Sequence, residues 1–173
     1  MNVLVIFPSN IGDMLLTLPA VRRLRRTYSK ASFTAVCSPH TCGMVRGLCR
    51  MERVEAFHKD WTWRRKFAFV SELRGRFDVC ADFKHTLIPL LIAAPRHTPF
   101  LRFSKPVHKK DMYLDLITPL LRGIPPAGDD SATEVSGVDT ALNIKPGSIF
   151  IAPATRSSDK RWPAERFAAL IER

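Results

Sequence analysis

Short apolar runs alternate with segments of helical periodicity along most of this chain of 173 residues. The first run, residues 3–7, is continuous and rich in β-branched side chains, which is typical of a strand buried on both faces. After a tight loop, Asp13 opens a segment in which Leu15, Leu18 and Val21 recur at helical spacing. Strands that alternate with helices in this way predict an α/β fold built on a parallel sheet.

The same alternation predicts the other elements ahead of residue 124. Strands are expected over 3–7, 32–37, 54–57, 78–83 and 100–103. Helices are expected between and after these strands, starting at Asp13 and then covering 39–48, 66–73, 87–93 and 107–121. No internal repeat is present at the periods typical of solenoids.

The pattern changes after residue 123. Residues 124–147 are rich in proline, glycine and aspartate, and they predict an interdomain linker or an elaborated connection. A further strand is expected over 148–152, and Pro163 is placed to start a helix. One strand and one helix cannot make a domain. We therefore expect a complete α/β domain over 1–123 and the first βα unit of a truncated second domain over 148–173.

The charge of the chain is strongly positive. The net charge is +11, and residues 14–66 hold 12 basic against 3 acidic residues. A regional basic excess indicates an anionic partner, which could be a nucleic acid, a phosphorylated sugar or an anionic membrane surface. A solvated basic face without a partner is the alternative. No motif that reads DNA or RNA is present, so nucleic-acid binding is the weaker interpretation.

The cysteine and histidine residues match no metal-site spacing. The four cysteines contain no CxxC pair, and the five histidines are scattered. We expect reduced, buried thiols and no metal site. Apolar runs stay well short of the roughly 18 residues that a membrane-spanning helix needs, and the start of the chain has the character of a mature, cytoplasmic N-terminus.

Three loops carry residues suited to chemistry, each with a structural alternative. Ser9 to Asp13 follow the first strand, where ligands bind in parallel sheets, although residue type alone favours an N-cap role for Asp13. Residues 61–66 interleave tryptophan with arginine and lysine, which suits either a sugar-binding or nucleic-acid-binding surface or a helix start with aromatics packed beneath. Residues 155–163 could cradle a phosphate or form a surface loop in which Trp162 is buried in the core.

Taken together, these segments resemble the ADP-heptose:lipopolysaccharide heptosyltransferase family, which are inverting glycosyltransferases of the GT-B fold. The two most specific matches are GD followed by LP within 12–19, and KRWP followed by RF within 160–167. Weaker matches lie at 3–6, 77–82 and 108–124. The resemblance covers the whole chain but about half of a family member. It implies a Rossmann-like N-terminal domain followed by the start of a donor-binding domain.

The resemblance also implies roles for single residues. Asp13 matches the proposed general base, which takes the proton of the acceptor hydroxyl. The positions implied for binding the acceptor, an anionic lipopolysaccharide core, are Ser9, Asn10, Gly12, Arg64, Arg65 and Lys66. Thr155 and Lys160 match the loop that holds the donor diphosphate, where a lysine offsets charge on the departing ADP. No metal or other cofactor is implied, and the donor is a nucleotide-diphosphate sugar such as ADP-heptose.

Two other classes remain as alternatives to a heptosyltransferase-like enzyme. One is a basic nucleic-acid-binding module, and the other is a relative that binds sugars without transferring them. The retention of both Asp13 and Lys160 favours the enzyme, because a pure binder needs no base. In this interpretation the enzyme is cytoplasmic, with peripheral contact to the inner membrane through its basic surface. Because a two-domain cleft needs both lobes, we expect the chain of 173 residues to be inactive alone.

Overall fold

The computed structural model describes residues 1–100, 108–122 and 162–171. The chain divides into two compact units, Met1–Val138 and Asp139–Arg173. The described elements of the first unit, in chain order, are β1 (Asn2–Ile6), α1 (Ile11–Thr27), β2 (Ser32–Cys37), α2 (Cys42–Cys49), β3 (Arg53–Ala56), α3 (Trp63–Leu73), β4 (Val79–Asp82), α4 (Ile88–Leu91), β5 (Arg96–His97) and α5 (Lys109–Ile117), which a 3-10 turn (Thr118–Leu121) continues.

The five strands form one parallel sheet in the order β3-β2-β1-β4-β5. Val5 of β1 stands opposite Ala35 of β2 on one side and Ala81 of β4 on the other. The strand order reverses between β1 and β4, which makes the loops after these two strands the walls of a crevice. The α/β fold predicted from the sequence is confirmed, and its topology is that of a Rossmann-like domain.

Alternate residues of the central strand build two separate cores. Val3, Val5 and Phe7 are buried on one face of the sheet, against α1, α2 and α5. Leu4 and Ile6 are buried on the opposite face, with the inner residues of α3 and the segment around α4. Since Val3 to Ile6 of β1 are covered on both faces of the sheet, these four side chains are all apolar, as a central parallel strand requires.

Helices α1 and α5 pack side by side and run in the same direction. Near their first turns, Lys109 of α5 contacts Asp13 of α1. Near their last turns, the Tyr28 hydroxyl donates to the Leu120 carbonyl, which also accepts from Arg96 at 2.7 Å. These contacts fix the start of α5 beside the loop that follows β1.

The fifth strand of the sheet lies ahead of the segment predicted from the sequence. The strand lies at Arg96–His97, where the Thr98 amide donates to the Cys80 carbonyl at 3.0 Å, whereas Phe100 lies in a bend. This edge strand is two residues long and polar, so it leaves no apolar run in the sequence. Residues 101–103 lie outside the described part of the chain, as do the predicted linker at 124–147 and the predicted strand at 148–152.

The second unit contains helix α6 (Ala164–Ile171), which begins directly after Pro163 as predicted. The Pro163 carbonyl accepts hydrogen bonds from the Arg166 and Phe167 amides. Trp162 is 41% exposed, and its ring meets that of Phe167 edge-on at 4.8 Å. None of the residues of α6 is buried, so its apolar side chains Leu170 and Ile171 face outward.

Candidate active site

Asp13 stands in the first turn of α1, at the carboxyl end of the central strand. Its side chain is 26% exposed, and its Oδ1 lies 2.7 Å from Lys109 Nζ. Asn10 Nδ2 donates weakly to Asp13 Oδ2 at 3.4 Å. The carboxylate is therefore held by two side chains while part of it remains open to solvent.

The N-cap interpretation of Asp13 is wrong. Asn10 occupies the N-cap position, with extended backbone and no capping hydrogen bond from its side chain. Asp13 is the third residue of the helix, and the hydrogen bonds to its carboxylate come from the side chains of Lys109 and Asn10. A carboxylate in this first turn is still favoured by the helix dipole, but capping does not explain it.

The hydrogen bond from Lys109 is the largest influence on the pKa of Asp13 and lowers it below the ordinary value of 3.8. Burial opposes this shift, while the Asn10 hydrogen bond and the positive charge of Lys109 add to it. Burial and, to a smaller extent, the negative charge of Asp13 together raise the pKa of Tyr113 to about 12. At neutral pH the site thus holds an ionised carboxylate, the form that can accept a proton.

The loop before Asp13 is tied to the neighbouring strand. The Ser38 hydroxyl, just past β2, donates to the Ser9 carbonyl at 3.2 Å. Asn10 and Gly12 are exposed. A Cβ atom built on Gly12 meets nothing within 4 Å, so the backbone here is open to an approaching molecule. The structure therefore brings Ser9, Asn10, Gly12 and Asp13 together at one edge of the sheet, as predicted.

The loop after β4 forms the other wall of the crevice, and Asp82 organises it. One carboxylate oxygen of this buried residue accepts from the Lys84 amide at 2.8 Å. The other accepts from the Thr86 amide at 2.6 Å and the Thr86 hydroxyl at 2.7 Å. His85, between these residues, adopts a positive φ of 55°. With both oxygens committed to shaping the loop, Asp82 is a structural residue rather than a second base.

The three basic residues at the start of α3 differ in their contacts. The Arg65 guanidinium lies 5.1 Å from the centre of the Trp61 ring, which itself packs against Phe69. Lys66 Nζ donates to the Lys59 carbonyl at 2.7 Å. Arg64 is exposed in the first turn. No contact joins Arg64, Arg65 or Lys66 to Asp13 among the described residues, so their acceptor-binding role stays a prediction.

The two tryptophans of this segment differ in their packing. Trp61 packs within an aromatic cluster with Phe57 and His58, as the structural interpretation predicts. Trp63 is 84% exposed, which is the state that a ligand-stacking residue needs. The spacing of aromatics alone could not separate these roles, because both residues flank the same capping residue, Thr62.

The predicted donor-phosphate residues, Thr155 and Lys160, lie outside the described residues. Within the described ranges, no group of three or more His, Cys, Asp or Glu side chains is arranged to hold a metal ion. Over the same ranges, no helix combines the length and apolar character needed to cross a membrane. The four cysteines are buried and unpaired by disulfides, as predicted, although Cys37 Sγ and Cys42 Sγ approach to 2.7 Å.

The residue that contacts Asp13 most directly was not predicted from the sequence. Lys109 lies 96 positions away, at the start of a helix whose apolar stripe predicts burial but not which helix it meets. A basic pair, Lys109 and Lys110, opens this helix, and that pair was the one available signal. Which of the two lysines reaches Asp13 depends on the packing of α5 on α1.

The fold and the polar crevice define a Rossmann-like domain with an ionised carboxylate at the point where its strand order reverses. No protein-family model matches the sequence, and no curated protein matches it either. Solved structures do share its fold, and three are similar over much of the chain. E. coli heptosyltransferase WaaC with ADP is 20% identical, with a TM-score of 0.67 over 99% of this chain and 64% of that one.

Two other solved structures also share the fold of this chain. The glycosyl transferase family 9 protein from Veillonella parvula DSM 2008 is 19% identical, with a TM-score of 0.69 over 99% of this chain and 58% of that one. E. coli ADP-heptose lps heptosyltransferase II is 19% identical, with a TM-score of 0.54 over 67% and 40%. The chain thus spans less than two thirds of each structure's length. The resemblance inferred from sequence motifs is confirmed at the level of the fold.

Proposed function

We propose that this chain supplies the acceptor-binding side of an inverting glycosyltransferase. The reaction transfers heptose or a related sugar from a nucleotide-diphosphate sugar to an anionic saccharide of the lipopolysaccharide core type. The observation that carries the proposal is the position of Asp13: an ionised, partly exposed carboxylate at the crevice where the strand order reverses. The shared fold with heptosyltransferases supports it.

In this proposal a single substitution at the anomeric carbon of the donor sugar accounts for the inverted configuration of the product. The acceptor hydroxyl oxygen bonds to the anomeric carbon while the bond from that carbon to the diphosphate oxygen breaks. The hydroxyl proton passes to the Asp13 carboxylate, and the electron pair of the broken bond leaves with the nucleoside diphosphate. The hydrogen bond from Lys109 lowers the pKa of this carboxylate, which sets how strongly it can attract the acceptor proton. Thr155 and Lys160 are proposed to hold the departing diphosphate, with no metal or other cofactor.

The donor that fits the proposal is ADP-heptose, because a structural neighbour was solved with ADP and another with ADP-2-deoxy-2-fluoro heptose. The setting is the cytoplasm, at the inner face of the membrane that presents the acceptor. Basic residues at the start of α3, among them Arg64 and Arg65, face solvent and suit an anionic acceptor.

The test is release of ADP from ADP-heptose that depends on an anionic core saccharide, measured with the protein as it occurs in cells. We expect acceptor-dependent release and a product of inverted anomeric configuration. The chain of 173 residues alone should release none, because donor and acceptor lobes act together. Transfer by this chain alone would contradict the proposal that acceptor and donor are bound by separate lobes. ADP release at the same rate with and without the acceptor would contradict glycosyl transfer.

A further inference from the structure

Two of the four buried cysteines lie against each other across a tight turn. Cys37 is the last residue of β2, Cys42 is the first residue of α2, and their sulfur atoms are 2.7 Å apart. Both thiols are free, and Cys37 Sγ also lies 3.7 Å from the Glu55 carbonyl oxygen. The sulfurs of a disulfide are about 2.05 Å apart. A shift of about 0.7 Å would therefore bring this pair to bonding distance.

The turn between the two cysteines holds this arrangement in place. The Ser38 carbonyl accepts from the backbone amides of Thr41 and Cys42, at 2.9 and 3.2 Å. It also accepts from the Thr41 hydroxyl at 3.1 Å, and the Ser38 and Thr41 hydroxyls are 3.0 Å apart. Cys37 is fixed by the sheet and Cys42 by this turn, so each sulfur is presented to the other with little freedom left to lose. Such pre-organisation raises the effective concentration of one thiol at the other.

The other two cysteines cannot compete for this pairing. Cys49 lies at the opposite end of α2, about 10 Å along the helix axis from Cys42. Cys80 lies in β4, on the far side of β1 from β2, and it belongs to the core on the opposite face of the sheet. A disulfide within the folded chain would therefore join Cys37 to Cys42.

The surroundings of the two thiols assign them different roles. Burial, reinforced by the hydrogen bond with Cys42, raises the pKa of the Cys37 thiol well above its usual range. Cys37 therefore keeps its proton at neutral pH, which leaves Cys42 to supply the first thiolate. Cys42 lies behind an exposed turn, at the start of a helix of eight residues. Two of these residues, Gly43 and Gly47, weaken the helix relative to alanine, so local opening can expose Cys42 to a small molecule.

We propose that Cys37 and Cys42 form a redox modification site, at which a small disulfide such as oxidised glutathione converts the two thiols to an intrachain disulfide. The Cys42 thiolate attacks one sulfur of the oxidant, whose disulfide bond breaks and releases one glutathione thiolate. Cys37 then loses its proton and attacks the Cys42 sulfur of the mixed disulfide, which releases the second glutathione thiolate. Two electrons pass to the oxidant, and the two thiol protons end on glutathione. The proposal does not rest on glycosyl transfer.

The proposed disulfide would form beside the candidate active site. The Ser38 hydroxyl, within the turn that the bond would close, donates to the Ser9 carbonyl at 3.2 Å. The bond would tie the end of β2 to the start of α2 and restrain opening of the first turn of α2. Backbone hydrogen exchange over residues 38–49 should therefore be slower in the oxidised chain, with exchange over α3 unchanged. Equal exchange over 38–49 in both forms would overturn this restraint.

Single substitutions test the order of attack. Cys37→Ser should accumulate glutathione on Cys42, because no second thiol displaces it. Cys42→Ser should leave Cys37 unmodified, because that thiol stays buried and protonated. Cys49→Ser is the matched control and should keep the disulfide between Cys37 and Cys42. Each variant is compared after circular dichroism has shown the wild-type spectrum. Glutathione on Cys37 in Cys42→Ser, with none on Cys42 in Cys37→Ser, would overturn the assignment of Cys42 as the attacking thiol.

The decisive test is thiol mapping after equilibration of the chain with oxidised and reduced glutathione. Remaining thiols are blocked with N-ethylmaleimide, and trypsin cleavage after Lys30 and Arg46 releases one peptide, residues 31–46, that holds both cysteines of the pair. We expect this peptide unblocked and two hydrogen masses lighter, with Cys49 and Cys80 blocked. Equilibration in urea measures the same pair without the fold, and the equilibrium constant for the disulfide should be at least about 10-fold larger in the folded chain. An equal or smaller constant in the folded chain would overturn the proposal.

Discussion

Lys109 Nζ lies 2.7 Å from Asp13 Oδ1, although the two residues are 96 positions apart in the sequence. The contact joins the first turns of two helices that run side by side in the same direction. It lowers the pKa of a carboxylate at the point where the strand order reverses, and it therefore sets how basic that carboxylate is. The chemistry proposed for Asp13 therefore depends on a lysine contributed by the far end of the same domain.

Replacing Lys109 should change the pH dependence of the reaction. Lys109→Met removes the hydrogen bond and charge that lower the pKa of Asp13, so that pKa should rise. The acidic limb of the profile of kcat/KM against pH should then move to higher pH. Lys110→Met is the matched control. The hydrogen bond of Lys110 to His108 comes from its backbone amide, so the substitution removes a neighbouring positive charge and keeps this contact. An acidic limb that stays in place would show that Asp13 does not govern it.

The same pair predicts a small stability effect with a definite sign. Since the pKa of Asp13 is lowered in the folded protein, the pair stabilises the fold above pH 3.8 and loses this effect as the pH falls through the folded value. Lys109 is 46% exposed, so the contribution should not exceed about 1 kcal/mol. Urea unfolding of wild type and Lys109→Met should differ at pH 7 and converge in acid; a difference that grows in acid would contradict this account.

Gly12 is expected to matter for ligand approach rather than for folding. A Cβ atom there meets nothing within 4 Å, so Gly12→Ala should leave stability unchanged or raise it by up to about 1 kcal/mol. If the acceptor passes close to this turn, kcat/KM for the acceptor should fall about 10-fold or more. Gly43→Ala is the matched control, since Gly43 is likewise the second residue of its helix and equally open. Equal activities of the two variants would contradict a close approach at Gly12.

Asp82→Asn should act on stability. Asn replaces one acceptor oxygen with a donor group, which faces the amides of Lys84 or Thr86 in a buried loop. We expect a loss of about 1–3 kcal/mol in the free energy of unfolding, measured by chemical denaturation. Under conditions in which the variant is folded, the slope of kcat against pH should match that of wild type. A stable variant with a changed pH profile would instead make Asp82 a candidate base.

Much of the fold could be predicted from the sequence because the central strands have strong apolar runs. The bounds of β2 agree with the prediction, since Phe33 to Cys37 are all buried. Helix α3 begins three residues earlier than predicted, because Thr62 caps it and Trp63 lies in its first turn despite being exposed. The edge strand Arg96–His97 was missed because a two-residue polar strand has no hydrophobic pattern to detect.

The candidate site was only partly predictable. A loop after the first strand of a parallel sheet lies where ligands bind, so Ser9 to Asp13 could be selected from local sequence alone. The pairing with Lys109 and the loop-shaping role of Asp82 arise from tertiary packing, which local patterns do not encode. For the same reason, sequence could not distinguish the exposed Trp63 from the packed Trp61.

The most direct test of the account compares Asp13→Asn with wild type in the acceptor-dependent transfer assay, using the protein as it occurs in cells. Asn keeps the size of the side chain but cannot take a proton, so kcat should fall by about 10²–10⁴-fold. The melting temperature should change little, because a partly exposed ion pair contributes no more than about 1 kcal/mol. Asp111→Asn, also at the third residue of its helix, should keep full activity. Near-normal turnover by Asp13→Asn would contradict the assignment of Asp13 as the general base.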